Sequence, residues 1–417
     1  MLTILKTVAR ALIGTTRAKL PVVCIFGHKP MTLTTPTADD YEEKRLDCRC
    51  YATDTDLERV LIRDRPDVII TNGHRSAFPH LARAPFEVQK RWRHYDVFPS
   101  TPQLGVEAFM CYLKNLLGAP GGDEFPLVTV FTPTYRTGDR IQRPLRSLRE
   151  QTYTNWEWIV VDDSDDGGQT FAMLNRLAME DHRIQIFKAG EHSGIIGRVK
   201  HWACNLGNGP ILVELDHDDA LTDDALALVV RGFRQFPAAG FLYTDCAEVA
   251  ENGTNVTYRD GWAFGYGAYT DVEYRGRVYK SGSGGNINAK TIRHIVSAPN
   301  HLRAWRRACY EALGGHNTHL HVADDYEILV RTFLRTRMVR VPKLGYIQYR
   351  SCTAQHVRNG DIHRHVNAIR AYYDQQIHER LLALGCEDFG WDEARGCSDY
   401  LRPNPPTESH ASLIAVV

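Results

Sequence analysis

Three acidic groups stand out by residue type and spacing. Asp216-His217-Asp218-Asp219 follows the apolar run Pro210 to Leu215, Asp162-Asp163 follows Trp156 to Val161, and Asp324-Asp325 opens a helical pattern carrying Leu329, Val330 and Phe333. Hard oxygen ligands of this kind suit magnesium or manganese, which keep water and substrate oxygens as their other ligands. A positioned carboxylate can also take a proton from a hydroxyl. Plainer readings compete. An isolated D-x-D occurs in acidic turns, and here Thr222 reads as the cap of a following helix with Asp223 and Asp224 in its first turn. Asp324 and Asp325 at a helix start are equally well placed as dipole partners.

The elements around these groups decide between the readings. Leu127 to Thr132, Trp156 to Val161, Ile184 to Phe187, Ile211 to Leu215 and Phe241 to Thr244 read as buried strands. Between them, Ile141, Leu145 and Leu148, and then Ile195, Ile196, Val199, Trp202, Ala203 and Leu206, fall at helical spacing. Strands alternating with helices imply a mostly parallel sheet covered on both faces, whose ligands bind at the carboxyl ends of the strands. Two of these strands end in aspartates, and burying carboxylates is costly unless they pair or hold a metal. They therefore belong in an open cleft at the sheet edge.

The chain divides near Gly118 to Gly122. Upstream, Val22 to Phe26, Leu57 to Arg65 and Asp67 to Thr71 read as strand, helix and strand of a smaller α/β domain, with Trp92 to Tyr95 as an interdomain contact. Residues 258–300 interleave Tyr258, Trp262, Phe264, Tyr266, Tyr269, Tyr274 and Tyr279 with glycines and read as a long loop with short strands. A helix holding Trp305, Cys309 and Leu313 is expected, then strands at Met338 to Val341 and Tyr346 to Tyr349, and a last helix from Ile369 to Leu384. The domain limits expected are 1–122, 123–350, a helical extension over 351–400 and a tail over 401–417.

Composition excludes several classes. Lys+Arg and Asp+Glu are both 50 in 417 residues, which lends nothing to nucleic-acid binding. No run reaches the roughly 18 apolar residues of a membrane span. The ten cysteines are scattered and no leader is evident, which points to a reduced, cytoplasmic chain; the broad apolar face of residues 2–13 beside basic residues allows peripheral membrane contact as an alternative.

Taken in order, the motifs resemble family 2 glycosyltransferases of the GT-A fold. Val128-Thr-Val-Phe-Thr-Pro-Thr-Tyr135 is similar to the family's opening strand; Ser147 to Tyr153, Asn155 and Val160-Val-Asp-Asp-Ser164 continue the pattern. His192-Ser-Gly194 and Arg198 resemble the next loop, Asp216 to Asp219 the metal motif, and Gly314-Gly315 with Ala323 to Leu329 and Arg331 the acceptor-side motif. The resemblance covers residues 126–350 and implies a GT-A, Rossmann-like nucleotide-diphospho-sugar transferase domain preceded by the smaller α/β domain.

The resemblance also implies an activity: metal-dependent, inverting transfer of a sugar from a nucleoside-diphosphate sugar, with uridine as the base, to a hydroxyl of a glycan or glycolipid. Pro133 and Tyr135 then line the base pocket, Asp163 with Asp162 accepts from the base, Arg198 lies near the base or diphosphate, and Asp216 approaches the ribose or donor sugar. Asp218, with Asp219 as the alternative in register, binds Mn2+ or Mg2+, and His356 is a further candidate ligand. Asp325 matches the catalytic base. Asp324 stands where the family more often has Glu and contacts the acceptor, for which His301 and Trp305 are further candidates. Two rivals are a sugar nucleotidyltransferase, whose glycine-rich signature Gly14 to Pro21 imitates without a preceding strand, and a non-catalytic glycan-binding protein. The N-terminal domain is open to roles in acceptor recruitment, homodimer formation or control of access.

Overall fold

The computed structural model describes residues 22–27, 47–52, 57–66, 68–72, 92–95, 125–178, 183–258, 267–282, 290–295, 298–350 and 359–388, with positions 78, 81, 181, 287 and 288. The expectations for residues 1–20, Gly118 to Gly122, Trp262, Phe264, Tyr266, His356 and the tail lie outside the described residues.

Strands β1 (Val22–Gly27), β2 (Asp47–Ala52), β3 (Val68–Asn72) and β4 (Trp92–Tyr95), with helix α1 (Leu57–Asp64), form a parallel sheet in the order β2-β1-β3-β4. Val60, Ile69, Phe78, Leu81 and Trp92 are its core, and the Trp92 indole donates to Thr71 Oγ1 at 2.7 Å. Residues 92–95 are thus a strand. Their polar pattern concealed it, because only Trp92 carries an apolar signal.

The second sheet contains the five strands expected and adds a helix between the second and third of them that sequence reading did not foresee. Its strands and helices are β5 (Val128–Thr134), α2 (Gln142–Arg149), β6 (Trp156–Asp162), α3 (Gln169–Ala178), β7 (Ile184–Lys188), α4 (Ile196–Leu206), β8 (Ile211–Glu214), β9 (Ala220–Leu221) and α5 (Ala225–Gln235). Then come β10 (Ala239–Ala250), β11 (Asn255–Val256), the hairpin β12 (Tyr269–Tyr274) and β13 (Arg277–Gly282), α6 (Thr291–His294), β14 (Arg303–Arg306), α7 (Arg307–Ala312), α8 (Asp324–Arg335), β15 (Arg337–Arg350) and α9 (Asn359–Ala383). The sheet order is β12-β13-β10-β14-β8-β5-β6-β7, with β15 paired to β10 and β9. Strands β5 to β8 are mutually parallel, and β14 runs antiparallel between β8 and β10. This is the α/β, GT-A arrangement expected.

Period-two alternation sends the strand side chains to two cores. Val128, Val130, Trp158, Val160, Ile211 and Val213 face Leu145, Leu148, Leu174, Leu226 and Val229 from α2, α3 and α5. Phe131, Ile159, Val161 and Leu212 face Val199 and Ala203 of α4 and Tyr326, Leu329 and Phe333 of α8. Helix α9 joins this second core through Val366, Ile369, Ile377 and Leu381, and Tyr373 donates to Glu327 Oε1 of α8 at 2.9 Å. Among the described residues no helix is long and apolar enough to cross a membrane.

Three local expectations are corrected. Trp305 lies in β14, and the helix begins only at Arg307. Asp224, not Thr222, is the N-cap of α5; the Thr222 hydroxyl lies 3.1 Å from the Leu344 carbonyl oxygen. Residues 337–350 are one strand of 14 residues, because its pairing with β10 absorbs the Pro342-Lys343 interruption through bulges.

Trp305 is 0% exposed, packs edge-on to Phe241 at 4.9 Å and donates its indole N–H to Thr332 Oγ1. Replacing it by alanine should cost about 3–5 kcal/mol, read as a lowered urea midpoint at unchanged slope. A loss below about 1 kcal/mol would contradict its place in the core.

Candidate active site

In the order β7-β6-β5-β8 the chain reverses direction of winding between β5 and β8, and a crevice opens at their carboxyl ends. Three chain segments enter it. Strand β5 delivers buried Pro133 and then Tyr135, which is 43% exposed. The Tyr135 ring lies 5.1 Å from that of His192 and 5.4 Å from the Arg136 guanidinium. An aromatic face left open at a strand end can stack on a planar ligand.

The aspartates divide into those already bonded and those within reach of a ligand. Asp162 is fully buried; its Oδ1 accepts Ser164 N at 3.1 Å and Ser164 Oγ at 2.5 Å, and Lys188 Nζ lies 3.5 Å from Oδ2. Asp163 accepts Ser193 N at 2.8 Å and Gly194 N at 3.0 Å, tying the loop before α4 to the end of β6. Gly194 turns that loop at φ +62°. Asp219 is 2% exposed and accepts the Tyr346 hydroxyl at 2.9 Å and Tyr349 N at 2.7 Å. Burial, with Asp216 and Asp218 adding to it, pushes the Asp219 carboxyl well above its usual range. The side chains of Asp216, Asp218 and Asp325 are instead 27%, 22% and 32% exposed. Burial and neighbouring Asp216 raise the Asp218 carboxyl, and its nearest ion-pair partner, Arg140, is 3.7 Å away.

A second acidic segment is the start of α8. Ala323 precedes it in the left-handed region at φ 61°, a conformation that costs a non-glycine residue about 1–3 kcal/mol. Asp324 and Asp325 follow in the first turn, where the helix dipole favours negative charge. Asp324 is buried, with Lys200 Nζ 3.5 Å from its Oδ2. Burial raises its carboxyl to about 6, against the attraction of Lys200. Helix α4 meets Asp324 at Gly197, where a Cβ would stand 2.5 Å from the Asn317 carbonyl oxygen and 3.0 Å from Asp324 Cβ.

Between these acidic segments lies an ion network that sequence reading missed. Lys200 Nζ is 2.6 Å from Glu214 Oε1; Arg303 bridges Glu214 Oε2 at 3.5 Å and Asp325 Oδ2 at 3.3 Å. Burial opposes the Glu214 charge, yet Lys200 and Arg303 hold its carboxyl well below the usual carboxylate range. The signal was present: Glu214 interrupts the apolar run Ile211-Leu-Val-Glu-Leu215, and Lys200 falls within the apolar stripe of α4.

The other candidates have definite places. His301 is 5% exposed, stacks on Tyr346 at 4.5 Å and puts Nε2 3.5 Å from Asp216 Oδ2. Its ring is thus buried beside Asp216. Trp305, in the core, cannot face an acceptor. Arg198 donates from Nε to the Thr318 carbonyl oxygen at 3.1 Å.

Comparisons with known proteins cover the central part of the chain. Residues 129–286 match the family model described as glycosyl transferase family 2. An uncharacterized protein of Sinorhizobium fredii is 24% identical over 227 residues, 54% of this chain and 22% of that protein. A putative teichuronic acid biosynthesis glycosyltransferase of Bacillus subtilis is 32% identical over 130 residues, 31% of this chain and 50% of that one. The chain thus spans half or less of the length of these two relatives. Among solved structures, S. aureus TarS 1-349 in complex with UDP-GlcNAc is similar at TM-score 0.45 and 19% identity, covering 61% of this chain and 72% of that one. The fold and acidic crevice define the class, an α/β domain of the GT-A type. Residues 129–286 are thus similar to glycosyl transferase family 2.

The buried histidines give the domain a pH signature. Burial holds His316 well below its ordinary value of 6.5 and lowers His301. The unfolded chain therefore binds more protons than the folded one as pH falls through about 6.5, and stability falls with it. Asp324, raised to about 6, and Asp219, raised well above its usual range, act in the opposite sense. The His316 share is read by difference: between pH 6 and 7.5 the melting temperature of His316→Asn should rise less, or fall more, with pH than that of the wild type, as scanning calorimetry would show. An equal slope in that variant would contradict the assignment.

Proposed function

We propose that this chain transfers a sugar from a uridine-diphosphate sugar to a hydroxyl of a glycan or glycolipid, with a divalent metal and with inversion at the anomeric carbon. The observation that carries the reading is that three carboxylates stay accessible where the others are buried and bonded. Asp216 and Asp218 follow the end of β8 and Asp325 opens α8, with side chains 27%, 22% and 32% exposed.

The donor set fits Mn2+ or Mg2+. Asp218 offers hard oxygens in a site where burial and Asp216 already disfavour its charge, which a cation would relieve. Asp219 fits less well, since Tyr346 and Tyr349 engage both of its oxygens. No cluster of three or more ligating side chains occurs among the described residues, so diphosphate and water oxygens would complete the shell. The bound metal supplies neutralising charge to the departing diphosphate.

The protein's own groups do the rest. Tyr135 stacks on the base, and His301 and Tyr346 hold the Asp216 to Asp219 turn in place. Asp325 accepts Tyr326 N on Oδ1 and meets Arg303 on Oδ2, which leaves lone pairs on both oxygens to take the proton of an acceptor hydroxyl. A single base facing the donor across the crevice implies one displacement and hence inversion.

The test is release of nucleoside diphosphate from a panel of nucleotide sugars with manganese, magnesium or chelator. Asp325→Asn should keep uridine-diphosphate binding but lose turnover by about a hundredfold or more. Asp218→Asn should lose the dependence on manganese. Wild-type turnover by Asp325→Asn, or turnover indifferent to chelator, would overturn the respective assignment.

A further inference from the structure

The ion network reaches from the metal-side turn to the proposed base without a break. Glu214 is the last residue of β8, two positions before Asp216. Lys200 of α4 holds one of its oxygens at 2.6 Å, and Arg303 of β14 approaches the other at 3.5 Å. Arg303 is 2% exposed and uses its fork in three directions: Nη1 toward Glu214, Nη2 toward Asp325 Oδ2 at 3.3 Å, and Nε toward the Pro299 carbonyl oxygen at 3.2 Å. A planar guanidinium anchored on three sides has one orientation.

Asp325 needs such an anchor. A partly exposed aspartate at a helix start otherwise samples several rotamers, and a base must hold near-attack geometry. An apolar side chain could fill the Arg303 volume without the desolvation cost of a buried ion network, so packing alone does not account for the choice.

We propose that Arg303, seated on Glu214 and Lys200, is a positioning residue that fixes the direction of the Asp325 carboxylate relative to the metal-side turn. This rests on the reading of Asp325 as the base. Glu214 is the shared footing: it ends the strand that leads into the Asp216 to Asp219 turn, so the same buried carboxylate sets both the donor end and the base. Lys200 keeps Glu214 in place from below and reaches Asp324 as well.

The experiment compares the full chain with Arg303→Met, Arg303→Lys, Glu214→Gln and Asp325→Asn. Two readouts are taken: steady-state release of uridine diphosphate from UDP-glucose and UDP-N-acetylglucosamine with Mn2+, and crystal structures of the two Arg303 variants. Arg303→Met should lower kcat by about a hundredfold, the scale of a misplaced catalytic group. The donor KM should stay within about threefold, and Arg303→Lys should recover at least about tenfold of the loss. In the crystal the Asp325 carboxylate should leave its wild-type rotamer in the Met variant and keep it in the Lys variant. Should Arg303→Met fail to fold, Glu214→Gln, which keeps the guanidinium but weakens its footing, carries the same comparison.

Unchanged kcat in Arg303→Met, a loss confined to KM, or an unmoved Asp325 carboxylate would overturn the proposal. Full turnover by Asp325→Asn would sink the base reading itself, a different failure. If neither nucleotide sugar is turned over, the Asp325 rotamer in the crystals still decides the positional claim.

Discussion

A carboxylate on the inner face of a central strand is the constraint around which this domain is arranged. Glu214 projects from β8 to the side that Leu212 shares with the core under α4 and α8, and it is 0% exposed. An uncompensated charge there would be prohibitive, and removing one partner of such a pair typically costs about 3–5 kcal/mol. Compensation comes from Lys200 on α4 and Arg303 on β14, so the helix after the His192 to Gly194 loop and the antiparallel strand beside β8 are tied to one point. The same two cations reach Asp324 and Asp325, which brings the start of α8 to that point too. Three walls of the crevice thus share one electrostatic footing.

Around that footing the acidic residues separate by role. Asp162, Asp163 and Asp219 spend their oxygens on backbone and hydroxyl donors and hold the loops that follow β6 and β8. Asp216, Asp218 and Asp325 remain accessible. The division follows burial: Asp162, Asp163 and Asp219 are buried, whereas Asp216, Asp218 and Asp325 keep 27%, 22% and 32% of their side chains exposed. Backbone strain accompanies the accessible set, with Arg136 at φ 45° and Ala323 at φ 61° at the two edges of the crevice.

Much of the strand and helix order was legible in the sequence, because β5, β6, β7 and β8 are short apolar runs and α2 and α4 carry period-3.6 stripes, although α3 was missed. Strand β14 was not: Arg303-Ala-Trp-Arg306 merges into the helical pattern of the next turn, and only its register against Leu212 and Val213 makes it a strand. That error also placed Trp305 on the acceptor side. The aspartates at strand ends could be found, but the sequence could not say which were already bonded, since Tyr346 and Tyr349 lie more than a hundred residues from Asp219. Nor could spacing reveal that Lys200, Glu214 and Arg303 meet, although a charge inside an apolar run is a sign that a partner must exist.

The central claim is that the crevice between β5 and β8, with its two acidic walls, holds the donor and its metal. A crystal structure of the chain with uridine diphosphate and manganese tests it most directly. The account predicts the uracil ring against Tyr135, the metal bound through Asp218 and the diphosphate, and the open oxygens of Asp325 across the crevice from the leaving group. A nucleotide bound elsewhere, or a metal held without Asp216 or Asp218, would contradict it.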